Sequence, residues 1–326
     1  MSALFDAGFW SFVAVTAGVF TIMSLGLQLQ FGYAGLLNFG HVAFMAIGGY
    51  TMAILVVKLG VSLWLAALIA LLAAVPFSLL LGLPTLRLRG DYLAMTTLAF
   101  SEIVRFVAVN EEGLTGGSQG TINLAGVGTA ASYNQEWLDV IETLRGWLEP
   151  LLGELASRDF TMMLVVWAVA ILAILVIQHL VRSPWGRVLK AIREEEDAAA
   201  VLGKNVFWYK QQALAIGAVL GALAGLFHAF QFSFFSPADF VPLVTFFAWM
   251  IIILGGTARN WGVPLGAIIF SILFAGTRFL DFAPFSLLES DERAYLRMII
   301  IGMVLMVLMV FRPQGILGKR EEMVLE

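Results

Sequence analysis

Residues 7–57 read AGFWSFVAVTAGVFTIMSLGLQLQFGYAGLLNFGHVAFMAIGGYTMAILVV, 51 positions without one Asp, Glu, Lys or Arg. A single helix of that length would be about 76 Å long at 1.5 Å per residue. The hydrocarbon of a bilayer is only about 30 Å thick. The chain therefore turns inside this stretch, and Gly32, Gly35, Asn38 and Gly40 mark the place. The turn has no charge to hold it among lipid headgroups. It reads as a broken helix at membrane depth, because irregular backbone there is tolerated only against protein or a water-filled cavity. A short neutral loop at the surface is the equal alternative.

The rest of the chain follows the same pattern. Hydrophobic residues make up 60% of the 326 residues, against roughly 45–50% in soluble proteins. Charged residues make up 13%, against roughly 25%. Nine apolar runs stand out, at about 8–30, 40–57, 62–83, 92–109, 160–181, 209–230, 242–258, 263–280 and 295–311. They are too long and too continuously apolar for barrel strands. The expected fold is an all-α polytopic transmembrane bundle, one domain over 1–326, with nine or ten membrane segments and one broken helix. Residues 1–5 carry no Lys or Arg, so the first run reads as a retained segment rather than a cleaved signal.

Positive charge sets the expected orientation. The loops at 84–91, 182–210 and 259–262 and the tail from 312 hold twelve Lys and Arg. The opposite loops hold six, and Arg105 lies within a run. The first side is cytoplasmic. Nine crossings then put the N-terminus outside and the C-terminus inside.

Composition also excludes functions. The net charge is −4, which gives no basic excess for nucleic acid. There is no cysteine, hence no thiolate metal site or Cys nucleophile. His41, His179 and His228 show no metal spacing, and neither a Gly-Lys-Ser/Thr phosphate loop nor a His-Glu-x-x-His motif occurs. No triad or carboxylate pair assembles, so the chain reads as neither enzyme nor cofactor binder.

Three segments carry information. In the loop 182–208, Ser183 caps a helix with Pro184 in its first turn. The acidic run Glu194-Glu195-Glu196-Asp197 and then Ala198 to Gly203 follow. Two short helices joined by a charged kink fit this. They serve either as a docking element for a cytoplasmic partner or as an interfacial anchor. Gly217, Gly221 and Gly225, extended by Ala213 and Ala229, form a small-residue ribbon for close helix packing. Thr97, Ser101 and Arg105 recur every four residues with Glu102 beside them. Ionisable groups within a span mark a pathway by default, but Glu102 and Arg105 can also neutralise each other as an i, i+3 pair. The segment 110–158 reads as an external loop. Within it Trp137, Val140, Ile141, Leu144, Trp147, Leu148, Leu151 and Leu155 recur at helical spacing opposite Glu136, Asp139, Glu142, Glu149 and Glu154. This amphipathic helix caps the bundle or lies on the outer surface.

Several blocks together resemble a known family. They are Gly32-Tyr33-Ala34-Gly35-Leu36-Leu37-Asn38-Phe39-Gly40-His41 with Gly48-Gly49-Tyr50; Leu86-Arg87-Leu88-Arg89-Gly90-Asp91-Tyr92; Leu114-Thr115-Gly116-Gly117; Gly186-Arg187 to Ala191-Ile192-Arg193-Glu194; Gly255-Gly256 with Trp261-Gly262; and Phe311-Arg312-Pro313-Gln314-Gly315. In this order they resemble permeases for branched-chain and other hydrophobic amino acids of the LivM type, over nearly the whole chain. The resemblance implies an ABC importer permease in a bacterial inner membrane. Its implied partners are a second, similar permease, two cytoplasmic ATPases and an external solute-binding protein. Asp197-Ala198-Ala199 followed by Gly203 resembles the ATPase-coupling loop of such importers, with Asp where Glu is common. Coupling is therefore expected of Arg187, Lys190, Arg193, Glu194, Asp197, Ala198 and Gly203. A polar path for a zwitterion is expected from Asn38, His41, Thr97, Ser101, Glu102 and Arg105, since zwitterions are expensive in hydrocarbon. A urea or amide permease, and a passive channel or facilitator, are the alternatives.

Overall fold

A computed structural model describes residues 7–88, 90–124, 133–153, 157–232, 234–276, 290–311 and 314–318. Among the orienting cations, Arg89, Arg278, Arg312, Lys319 and Arg320 lie outside the described residues, as do Glu154 and Leu155 of the amphipathic pattern. Helix is the only regular secondary structure of the described residues, with no strand among them.

The helices are α1 (Ala7–Gln28, running on as a π-helical turn, Leu29–Tyr33), α2 (Val42–Leu59), α3 (Leu63–Thr85), α4 (Gly90–Asn110), a single turn α5 (Glu112–Thr115), α6 (Gln135–Leu152), α7 (Arg158–Arg182), α8 (Pro184–Glu194), α9 (Glu196–Val201), α10 (Val206–Phe232), α11 (Pro242–Gly255), α12 (Gly262–Gly276) and α13 (Ser290–Phe311). Among the described residues six helices are long and apolar enough to cross a membrane: α1 with its π turn, α2, α3, α4, α7 and α10. The expected runs at 242–258 and 263–280 instead give α11 and α12, of 14 and 15 residues. α11 is about 21 Å long, short of the hydrocarbon thickness, and the run at 263–280 continues past the described end of α12. Pro242 at the first turn of α11 and the non-helical Gly256 after its end set its length. The ninth run falls within α13.

The centre of the bundle is α10, and the ribbon explains why. An added Cβ on Gly217 would lie 2.8 Å from the Gly26 carbonyl oxygen, and one on Gly225 would lie 2.0 Å from that of Met45. On α2, a Cβ on Gly48 would lie 2.4 Å from the Ala222 oxygen. The helices α1 and α2 thus pack on α10 at backbone contact, which only the smallest residues allow. Buried glutamines tie α10 to the end of α1 and to α3. Gln30 donates to the Leu214 carbonyl at 3.1 Å and Gln211 to that of Ser78 at 3.1 Å.

The segment around α6 is fastened to the bundle. Trp137 stacks on Phe230 with centroids 4.5 Å apart, and Trp137 and Ile141 are buried. The apolar face of α6 therefore packs on the bundle, while Trp147 stays exposed. Tyr133 donates to the Ala229 carbonyl at 2.9 Å. Burial pushes its phenol above the usual range, so it remains a donor. The Gly-rich 3-10 segment Gly117–Asn123 clamps the chain after α10: Thr121 N donates to the Phe235 carbonyl, and Phe235 N donates to Thr121 Oγ1, each at 3.0 Å.

Candidate translocation and coupling site

The chain does break inside the chargeless stretch. Residues 35–40 are non-helical. Gly35 takes φ +69°, a left-handed turn that favours glycine. The segment begins beside the elbow formed by α8 and α9, where Gly35 faces Arg193. It ends at His41, which lies against Gly26 and Gly221, with Gly217 packed on Gly26. Gly217 and Gly221 stand 11 and 15 residues into α10, roughly 16–22 Å from its start. The backbone thus re-enters the bundle to about its middle before α2 begins.

Neighbouring elements satisfy this backbone, as burial requires. Asn38 is buried; its Nδ2 donates to Gln30 Oε1 and its Oδ1 accepts from Gly40 N, each at 2.9 Å. Its carbonyl accepts from Trp249 Nε1 at 3.2 Å. Thr97 Oγ1 accepts from Phe39 N at 3.0 Å and donates to the Ala94 carbonyl at 2.9 Å. Val42 N donates to Thr245 Oγ1 at 2.9 Å. Phe39 lies over Trp249, with centroids 5.0 Å apart. Gly40 meets α4 at backbone distance: a Cβ there would fall 1.8 Å from the Thr97 carbonyl oxygen.

The six pathway candidates divide into two groups. Asn38, His41, Thr97 and Ser101 are buried within this one chain. Ser101 donates to the Leu98 carbonyl at 2.7 Å. Glu102 and Arg105 lie on another part of α4, half-buried, in a bidentate ion pair whose closest contact is 2.7 Å. Each four-residue step turns a helix by about 40° beyond a full turn. Arg105 consequently drifts off the buried stripe that Thr97 and Ser101 keep. On the opposite face of α4 from the pair, α2, α3 and α4 enclose an apolar cleft of about 240 Å³, lined in part by Tyr50, Phe100, Ile103 and Val104.

The elbow has two faces. Ser183 Oγ caps α8, accepting from Gly186 N at 3.5 Å. Glu195 breaks the helix with φ −150° and ψ 101°, and α9 follows. Ile192, Ala199 and Val206 close a small core beneath. On the inner face Arg193 Nη1 donates to the Gly32 carbonyl at 2.5 Å, and Lys190 sits 5.6 Å from the Tyr33 ring. Lys210 pairs with Glu196. On the outer face Arg187, Glu194, Asp197, Ala198 and Gly203 are exposed. Gly203 has φ +77°, which suits the turn into α10. At the tip Val201 and Leu202 are 88% and 78% exposed. Sequence reasoning missed that apolar tip, and also Gln30 and Trp249 in the lock. A glutamine inside an apolar run was the available signal for Gln30. Among the described residues no cluster of three or more His, Asp or Glu is placed to hold a metal ion.

Residues 9–309 match the model of a family described as branched-chain amino acid transport system / permease component. The high-affinity branched-chain amino acid transport system permease protein LivM of Escherichia coli is 33% identical over 94% of this chain and 69% of its own length. Its LivH counterpart from the same species is 25% identical over 95% of both chains. A nucleoside ABC transporter permease protein, NupC of Lactococcus lactis, is 25% identical over 74% of this chain and 71% of its own. No solved structure matches. A chargeless broken helix, spanning-length helices around a glycine ribbon and a two-helix elbow, together with these matches, place the chain in one family: it belongs to the branched-chain amino acid transport system permease components, a multi-pass membrane transport subunit rather than an enzyme.

Proposed function

We propose that the chain carries branched-chain or other neutral amino acids inward as one of two homologous permease subunits of an ABC importer. Two cytoplasmic ATPases drive it, and an external solute-binding protein loads it. The N-terminus lies outside, 110–158 faces outward, and 182–208 is the cytoplasmic coupling loop. One observation carries the reading: an apolar tip, Val201–Leu202, stands exposed on an elbow whose other face holds the start of the broken helix through Arg193 and Gly32. A push on that tip is delivered to the re-entrant segment.

The substrate's route follows the outward face of α4. There the Glu102–Arg105 pair offers both signs of charge to a zwitterion. Behind that face, Asn38, His41, Thr97 and Ser101 are held in the resting lock. They join the polar path when the elbow shifts the segment at 35–41. The nucleoside permease among the relatives supports the transport class more broadly than the amino acid.

The test is reconstitution into liposomes with the partner permease, the ATPases and the binding protein. Leucine uptake that requires both ATP and the binding protein is expected. Uptake that persists without either would make the chain a facilitator.

A further inference from the structure

A second cavity, of about 410 Å³, opens at the elbow end of the bundle, between the ends of α1 and α7, the middle of α8 and the turn before α12. Three cations line it: Arg182, Lys190 and Arg259. Among the described residues none of them has a carboxylate within ion-pair distance. Arg259 is half-buried, and its Nε is buried without a hydrogen-bond partner. Converging cations left unpaired in a concave site repel one another, and an anion relieves that cost.

The floor of the cavity is fixed in advance. Tyr33 Oη lies 2.8 Å from the Ala258 carbonyl and 3.0 Å from Asn260 Oδ1, its one proton shared between them. The Asn260 amide meets that of Gln178 at 3.0 Å. Ala258 is the one non-glycine with positive φ among the described residues, at 59°. The turn carrying Arg259 is therefore held in shape before any ligand arrives.

The mouth points to the source of the anion. Trp261 and Leu317 border it and are 53% and 46% exposed. An exposed Trp at the end of apolar helices is an interfacial feature. Basic pockets between transmembrane helices on the cytoplasmic side suit anionic headgroups. We propose that this cavity binds a phosphate-ester anion, supplied by the headgroup of an inner-leaflet anionic phospholipid, with Arg182, Lys190 and Arg259 on the phosphate and Trp261 and Leu317 against the glycerol and acyl roots. The proposal rests on the cytoplasmic placement of the elbow, and its test reads lipid binding alone, without uptake or ATPases.

The test uses the purified, delipidated full chain without ATPases. Short-chain phosphatidylglycerol, short-chain phosphatidylcholine and inorganic phosphate are added separately, and binding is read by native mass spectrometry and thermal shift. Phosphatidylglycerol is expected to bind and raise the melting temperature; phosphatidylcholine is not. The Arg182→Gln/Arg259→Gln variant should bind it more weakly, by roughly fivefold for each cation removed. If the double variant fails to fold, Arg182→Gln alone, whose side chain is exposed, gives the same comparison. Millimolar phosphate reproducing the shift would overturn the lipid as source. Equal binding of both lipids, or binding unchanged in the variants, would overturn the site.

Discussion

Gly40→Ala probes the re-entrant segment at its tightest point. The new Cβ would fall 1.8 Å from the Thr97 carbonyl oxygen, where ordinary contacts begin at 3.4 Å. The segment and α4 must separate by about 1.6 Å, the difference of those two values. Overpacking of that kind costs about 1–3 kcal/mol. The separation also strains the bond from Phe39 N to Thr97 Oγ1. Leaving that buried donor unsatisfied costs about 1–3 kcal/mol more. The expected destabilisation is thus about 2–6 kcal/mol. It is read as a lowered melting temperature of the purified chain and as lost uptake by cells. Gly146→Ala is the control: it sits in α6 with open space around it, so the exchange removes a flexible residue from a helix and should be neutral or stabilising by up to about 1 kcal/mol. A Gly40→Ala protein that melts and transports like the unmodified chain would refute the close approach of residue 40 to α4.

Other perturbations separate packing from function. Gly225→Ala would set a Cβ 2.0 Å from the Met45 carbonyl oxygen; reduced yield of folded protein in the membrane is expected, by immunoblot after detergent extraction. Arg193→Gln removes a charged hydrogen bond to Gly32, worth about 1.5–3 kcal/mol; uptake should fall sharply while co-purification with the ATPases persists. Glu102→Gln or Arg105→Gln should each lower uptake, and the exchanged pair Glu102→Arg with Arg105→Glu should recover part of it. Recovery to no degree would leave the pair a fixed structural contact.

Much of this was legible before any coordinates, for identifiable reasons. The absence of charge from 7 to 57 forced a turn, because helix rise and bilayer thickness are both fixed. The four-residue row of glycines implied a packing seam, and α10 proved to be that seam. Ser183-Pro184 and the acidic run announced two short helices with a kink. Apolarity overstated the helix at α11, since it reports the surroundings of a segment and not the length of its helix. Proline and glycine, at Pro242 and Gly256, ended the helix where hydropathy did not. Spacing put Thr97 and Ser101 on one face of α4. It could not say that this face meets the backbone of 39–40, because the neighbour is set by the tertiary fold.

The most direct measurement concerns the elbow. The chain has no cysteine, so Leu202→Cys introduces a single thiol at a position 78% exposed. A membrane-impermeant maleimide should label it in inside-out vesicles, not in intact cells, and co-assembly with the ATPases should shield it. Labelling in intact cells, or labelling undiminished by bound ATPases, would contradict a cytoplasmic coupling elbow.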